Sequence, residues 1–125
     1  MILDTNAISA LFSGDDSINA ALEGAEKHHL PVIVVGEYLF GLERAKSKTI
    51  LDRLLVRLVE ESHILPIDVN TAQAYVTVRL QLKEQGTPIP ENDVWIAALA
   101  RQHELTVLSR DRHFDAVKGI RRIAW

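Results

Sequence analysis

The stretch ENDVWIAALA, residues 91–100, decides how the rest of the chain is read. From Val94 onward it is apolar almost all round, the pattern of a helix enclosed on every side. Yet it opens on Asn92 and Asp93. An Asn before an apolar run is an ordinary helix cap, and a carboxylate in the first turn suits the positive end of the helix dipole. That explanation suffices for one acid. It fails if acids from other elements gather at the same place.

Outward from this helix, read as residues 93 to about 103, the chain alternates strands and helices. Residues 105–108 (LTVL) form a fourth strand, 112–117 a helical turn and 120–125 a last strand. On the other side, Pro88 and Pro90 keep 87–90 non-helical, after a long helix capped by Asn70 and ended by Gly86. Residues 64–67 read as a third strand. Before them Ser47 opens a helix whose Ile50, Leu51, Leu54, Leu55, Leu58 and Val59 hold the 3.6-residue period. Pro31 begins PVIVV, the signature of a buried second strand, with a helix around Glu37 reaching about Ala45. Asp15, Asp16 and Ser17 open a helix carrying Ile18, Ala21, Leu22 and Ala25. At the start, Ile2 and Leu3 make a short strand ending at Asp4, and Asn6 or Thr5 caps a helix over 7–12. Such alternation specifies an α/β fold, a three-layer parallel sheet with helices on both faces, formed by residues 1–125 as a single domain.

The bulk properties narrow the chemistry. Of the 125 residues, 47% are hydrophobic and 25% charged, with no low-complexity tract, which describes a globular protein with a substantial core. There is no cysteine, excluding disulfides, thiolate metal sites and cysteine nucleophiles. MILDTN lacks the parts of a signal peptide, and no apolar run approaches the ~20 residues of a membrane helix. A soluble, cytoplasmic protein without a membrane partner is expected. The net charge of −3 and pI of 5.9 give no basic footprint. Positive charge is nonetheless clustered, in Arg44, Lys46, Lys48, Arg53 and Arg57 and again in Arg110, Arg112, Lys118, Arg121 and Arg122.

In open parallel sheets, ligands bind beyond the carboxyl ends of the strands. Asp4 follows the first strand, Glu37 the second and Asp111 the fourth, while Asp93 opens the helix leading into the fourth. Each alone could be a cap or a dipole partner. Together they are a different matter, because neighbouring strands lie ~4.8 Å apart. Two carboxylates ~6 Å apart repel by roughly 3 kcal/mol at an effective dielectric of 20. Several such pairs weigh heavily against a total stability of ~5–15 kcal/mol. A hard divalent cation with oxygen ligands, Mg²⁺ or Mn²⁺, resolves the repulsion most simply. Asp93 is then a metal ligand placed at a helix start.

With these residues in view, LDTN at Asp4, GEYLFGLERA around Glu37, NDVWIAALA at Asp93 and TVLSRDRHF at Asp111 resemble the motifs of PIN-domain ribonucleases. The similarity is greatest to the toxins of VapBC toxin–antitoxin systems, and it runs in order from residue 1 to 125. The resemblance implies an acidic pocket of Asp4, Glu37, Asp93 and Asp111 holding one or two Mg²⁺ or Mn²⁺ ions. It implies that Asn6, Ser109 and Thr5 support that pocket by hydrogen bonds. It implies an endoribonuclease that hydrolyses RNA with an activated water, leaving a 5′-phosphate and a 3′-hydroxyl, with Asp93 or Glu37 accepting the proton. The partners implied are an RNA substrate, a VapB-like antitoxin laying a helix and a basic arm into the pocket, and a second copy in a homodimer or a higher toxin–antitoxin assembly. Arg110 and Arg112, then Arg44, Lys46 and Lys48, are the candidate phosphate contacts around a pocket that itself repels RNA. Two departures stand out. His113 occupies a position where many relatives carry another acid, which bears on a second metal site, and Gly36 stands where many have Ser or Thr.

Competing readings are weaker. A haloacid-dehalogenase-type phosphatase needs a second Asp two residues after the first, and this chain has Asn6. A receiver domain needs paired N-terminal acids and a late Lys. A catalytically silent PIN-like module binding RNA or protein is the main alternative, and retention of all four acids argues against it. His28, His29, His63 and His103 read as structural, and Trp95 as core. Tyr38, Leu39, Phe40 and Leu42 read either as core or as half of a groove for a partner helix.

Overall fold

The computed structural model describes all residues except Glu26. Five strands form one parallel sheet in the order β3-β2-β1-β4-β5. Strand β1 (Ile2–Leu3) is followed by α1 (Thr5–Phe12) and α2 (Asp16–Leu22). Strand β2 (His29–Pro31) is followed by α3 (Val32–Leu42) and α4 (Lys48–Glu61), and β3 (His63–Leu65) by α5 (Val69–Glu84) and α6 (Glu91–His103). Strand β4 (Val107–Leu108) and β5 (Arg122–Ile123) are joined through a 3-10 turn, Arg112–Ala116.

The central strands β1 and β4 are wholly apolar because they are buried on both faces, whereas the edge strands β3 and β5 carry His63 and Arg122 and are partly exposed. Ile2, Leu3, Leu30, Val107 and Leu108 have no exposed surface. Above and below them pack Ile8, Ile18 and Val34, and Val78, Ile96, Leu99 and Phe114. From β1 the chain steps to β2 and β3 on one side, then crosses back to β4 and β5 on the other. Right-handed crossovers place the helices of these two excursions on opposite faces, which gives the three layers. The direction reverses between β1 and β4, so the loops after these strands diverge and leave a crevice at their carboxyl ends.

Several element starts differ from the sequence reading. PVIVV is not a strand: β2 ends at Pro31, and the valines begin α3. The neighbouring strands have only two or three residues to pair with, so the sheet stops there. Pro31, at φ −57°, is pre-set for a helix start. β-Branched residues lose only about 0.5 kcal/mol each in a helix, less than the burial of Val34 returns. As a result Glu37 lies in the second turn of α3. Asp4 rather than Asn6 or Thr5 caps α1, accepting from the Thr5 N–H. Asp68 rather than Asn70 caps α5, in a reciprocal box with Thr71. Helix α6 starts at Glu91 behind Pro90, which puts Asn92 inside the helix instead of at its cap.

Helix α6 buries Val94 and every residue from Ile96 to Ala100. Its alanines bring it close against α5 and α3. It ends on Glu104, held at φ 54° and ψ 45° with its N–H turned back to the Ala100 and Arg101 carbonyls. A side chain in this left-handed region is strained by roughly 1 kcal/mol, and glycine is not. Glu104→Gly is therefore expected to raise the midpoint of thermal unfolding by a few degrees, and an unchanged or lowered midpoint in calorimetry would show the turn to be unstrained.

Candidate active site

Asp4 sits at the crevice with only 4% of its surface exposed. Burial at this level requires hydrogen bonds, and three residues supply them. The Thr5 N–H donates to Oδ1 at 2.8 Å. Ser109 Oγ donates to Oδ2 at 2.7 Å, and Asn6 Nδ2 donates to the same oxygen at 3.2 Å. Asn6 also donates to Ser109 Oγ (3.1 Å) and accepts from the Arg110 N–H (3.1 Å), so α1 and the loop after β4 are tied together across the reversal point. Ser109, fully buried, in turn accepts from the Asp111 N–H at 2.9 Å.

The other three acids come from separate elements. Asp93 is buried in the first turn of α6. Asp111, half-buried, caps the 3-10 turn by accepting from the His113 N–H at 2.9 Å. Glu37 points from α3 with Oε1 buried and, among the described residues, without a hydrogen-bond partner. Burial pushes the Glu37 carboxyl above the usual range; the Asn92 side chain partly opposes this, and the charges of Asp4 and Asp93 add to it. Burial likewise raises Asp93. The hydrogen bond from His113 opposes that shift, while Asp4 and Asp111 reinforce it. Charge effects thus link Glu37 with Asp4 and Asp93, and Asp93 with Asp4 and Asp111.

His113 was not among the expected site residues, yet it stands between two of them. Its Nδ1 lies 2.9 Å from Asp93 Oδ2 and 2.8 Å from Asp111 Oδ1. The hydrogen bond to Asp93 is the main cause of its raised pKa; burial opposes it, and the charges of Asp111 and Asp93 add to it. The available signal was its spacing two residues after Asp111, at the position noted in the sequence as a departure from the resembled motif. Asn92 was seen only as a cap, because nothing in the sequence shows that it faces Glu37.

The expected phosphate contacts are less uniform. Arg110 stacks on Trp125, its guanidinium carbon 4.5 Å from the ring centre, and reaches the Trp125 carbonyl (3.3 Å) and Asp15 (3.5 Å). Arg112 is exposed at the first position of the 3-10 turn. Arg44 and Lys46 are exposed beyond the end of α3, and Lys48 pairs with Glu43 at 2.9 Å. The remaining histidines lie elsewhere: His29 and His63 face each other on adjacent strands, with ring centres 5.2 Å apart, and His103 is in the last turn of α6. Trp95 is half-buried and stacks on Tyr75 at 4.1 Å.

The donor set fits a divalent cation. Asp93, Asp111 and His113 offer ligand atoms that all lie within 4.8 Å of one another, whereas Glu37 and Asp4 are outside that group of three.

Comparison with known proteins follows the same lines. The PIN domain family matches residues 1–120. The chain is 30% identical over 120 residues to "Ribonuclease VapC5" of Mycobacterium tuberculosis, covering 94% of this chain and 87% of the relative. It is 34% identical over 121 residues to "Toxin FitB" of Neisseria gonorrhoeae, covering 89% and 87%. The crystal structure of FitAcB from Neisseria gonorrhoeae superposes with a TM-score of 0.86 at 31% identity, covering 98% of this chain and 95% of that one.

The shifts in the pocket carry a pH signature. Glu37 and Asp93 hold protons more tightly folded than unfolded, so their contribution to stability falls as pH rises above the unfolded carboxylate range. His113, also raised, stabilises the fold when protonated and loses that contribution as pH rises through its folded value. The window opens above about pH 4 for the two carboxylates and above about pH 6.5 for His113, and all three act in the same direction within it. In EDTA the unfolding midpoint should decline across this window, and Asp93→Asn should flatten the decline. A slope identical in the two proteins would disprove the coupling.

Proposed function

The chain belongs to the PIN-domain family, and on that premise we propose that it is a metal-dependent endoribonuclease, the toxin of a type II toxin–antitoxin pair. The observation that carries this reading is the convergence of Asp4, Glu37, Asp93 and Asp111, from four separate elements, at the reversal point of the sheet. A purely structural role would not retain four mutually repelling acids. The relatives named ribonuclease and toxin support the activity.

Asp4, Asp93, Asp111 and Glu37 would hold one or two Mg²⁺ or Mn²⁺ ions. When bound, such an ion supplies Lewis acidity, making a water easier to deprotonate and offsetting charge on the phosphate. The chain's own groups do the rest. Asp4 is fixed in orientation by Thr5, Asn6 and Ser109, so it cannot turn away from its neighbours. Asp93 and Asp111 are steadied by His113. Glu37 Oε1, unpartnered and with raised proton affinity, is the oxygen suited to take the proton of the attacking water. The water oxygen bonds to phosphorus and the bond to the 3′ oxygen breaks, giving a 5′-phosphate and a 3′-hydroxyl.

Arg112 is exposed next to Asp111 in sequence, and Arg110 gains the same role if RNA draws it from Trp125 and Asp15. Arg44, Lys46 and Lys48 extend the basic surface. An antitoxin of the kind paired with the relatives would dock beside Glu37. There a groove of about 340 Å³ runs between α1, α3 and α4, lined by Thr5, Tyr38, Gly41, Leu42 and Leu51. Leu39 and Phe40 stand exposed nearby at 44% and 75%, whereas Leu42 is buried. Residues 1–125 would act as one PIN-like unit, paired as a homodimer, in the cytoplasm. Among the described residues no helix is long and apolar enough to cross a membrane.

Cleavage of end-labelled cellular RNA in Mg²⁺ or Mn²⁺ against EDTA tests the reading. Discrete cuts that need the ion are expected, and Asp4→Asn or Asp93→Asn should lower the rate by roughly two orders of magnitude or more while the protein stays folded. Wild-type rates in either variant would refute the assignment. Substrate affinity should fall steeply with added salt, and Arg112→Ala should reduce that slope; a salt-independent affinity would remove the basic residues from the substrate path.

A further inference from the structure

His113 sits inside the acidic pocket, not at its edge. Its Nδ1 is 2.9 Å from an oxygen of Asp93 and 2.8 Å from an oxygen of Asp111. Without an ion this is a shared hydrogen bond. The same spacing is also that of neighbouring ligands around one cation, since two ligands at right angles, each ~2.1 Å from a small divalent ion, lie ~3 Å apart. The 3-10 turn fixes the geometry. Asp111 caps it by accepting from the backbone N–H of His113, so the carboxylate and the imidazole leave positions two residues apart and meet at the same point. Asp93 reaches that point from the first turn of α6. Nearly half of the His113 side chain remains exposed, so the ring can tilt without disturbing the core.

We infer that His113 is itself a metal ligand, making the pocket a mixed nitrogen and oxygen site that selects Mn²⁺ over Mg²⁺. This rests on the metal-dependent reading above and refines it. Mg²⁺ demands oxygen donors and gives up water reluctantly, whereas imidazole is a good ligand for the later divalent ions. A ring in place of a carboxylate also removes one negative charge from the pocket, which weakens attraction for a hard ion more than for one that gains from nitrogen. To ligate through Nδ1, the neutral ring carries its proton on Nε2.

Pulsed electron paramagnetic resonance on the protein loaded with Mn²⁺ alone gives a direct readout, because a coordinated imidazole imprints ¹⁴N modulation on the Mn²⁺ echo. The wild-type protein should show this modulation and His113→Gln should lose it, with Mn²⁺ affinity about tenfold weaker. His113→Asp should shift the ratio of Mg²⁺ to Mn²⁺ affinity toward Mg²⁺ by a similar factor, read by calorimetry. Bound Mn²⁺ with no ¹⁴N modulation, or modulation that persists in His113→Gln, would overturn the inference and leave the nuclease reading intact. Absence of Mn²⁺ binding in the wild type, or binding undiminished in Asp93→Asn, would overturn both.

Discussion

A carboxylate buried as deeply as Asp4 must be satisfied by hydrogen bonds or neutralised, and the architecture of the pocket follows from meeting that demand. Its donors come from the first turn of α1 and from the end of β4. Satisfying one side chain therefore fixes the start of a helix and the exit of a strand that is distant in sequence. Ser109 extends the arrangement, donating to Asp4 while accepting from the Asp111 N–H. Asp111 then caps the turn that carries His113. A continuous series of polar contacts thus leads from β1 to the far wall of the pocket, each step placing the next side chain. The apolar residues make the sheet, but this series makes its carboxyl edge a defined site.

The acids are not treated alike by the fold. Asp4 has its hydrogen bonds, whereas Glu37 keeps a buried oxygen without a partner and Asp93 is only partly compensated by His113. A fold optimised for stability alone would replace these groups with apolar ones or pair them fully. Incompletely compensated buried acids are the pattern expected where function and stability pull apart. The rest of the chain tolerates it because the core beneath is continuous, running through all five strands' neighbourhood from Ile18 to Phe114.

The class of fold and the four acids were legible in the sequence because each rested on a short-range signal: an apolar run, a periodic helix, an acid at a strand end. What the sequence concealed was tertiary. PVIVV has strand composition, but the length of its neighbours limits β2 to three residues and turns the valines into helix. Asn70 and Asn92 are good caps by residue type, yet Asp68 with its partner Thr71, and Pro90 with its fixed φ, set the helix starts instead. His113 was visible as a departure from a familiar motif. Its role depends on Asp93, twenty residues earlier, and no local pattern reports that distance. The basic residues were legible as charge but not as contacts, since Arg110 spends its guanidinium on Trp125 and Asp15.

Asp93 shows how a cap can be told from a pocket residue. Asp15 and Asp68 also stand at helix starts, where they accept from backbone N–H groups, and both have lowered proton affinity because those hydrogen bonds favour the charged form. Asp93 has the same residue type and the same favourable dipole, an effect of roughly 0.3–1 kcal/mol, yet its proton affinity is raised. Burial and the neighbouring acids outweigh the dipole. If Asp93 served only to start α6, selection for stability would leave it exposed and charged like the other two. Its shift runs the opposite way because its side chain faces inward toward Asp4 and Asp111, where its charge is a burden to the fold alone and becomes favourable only when a cation shares the pocket.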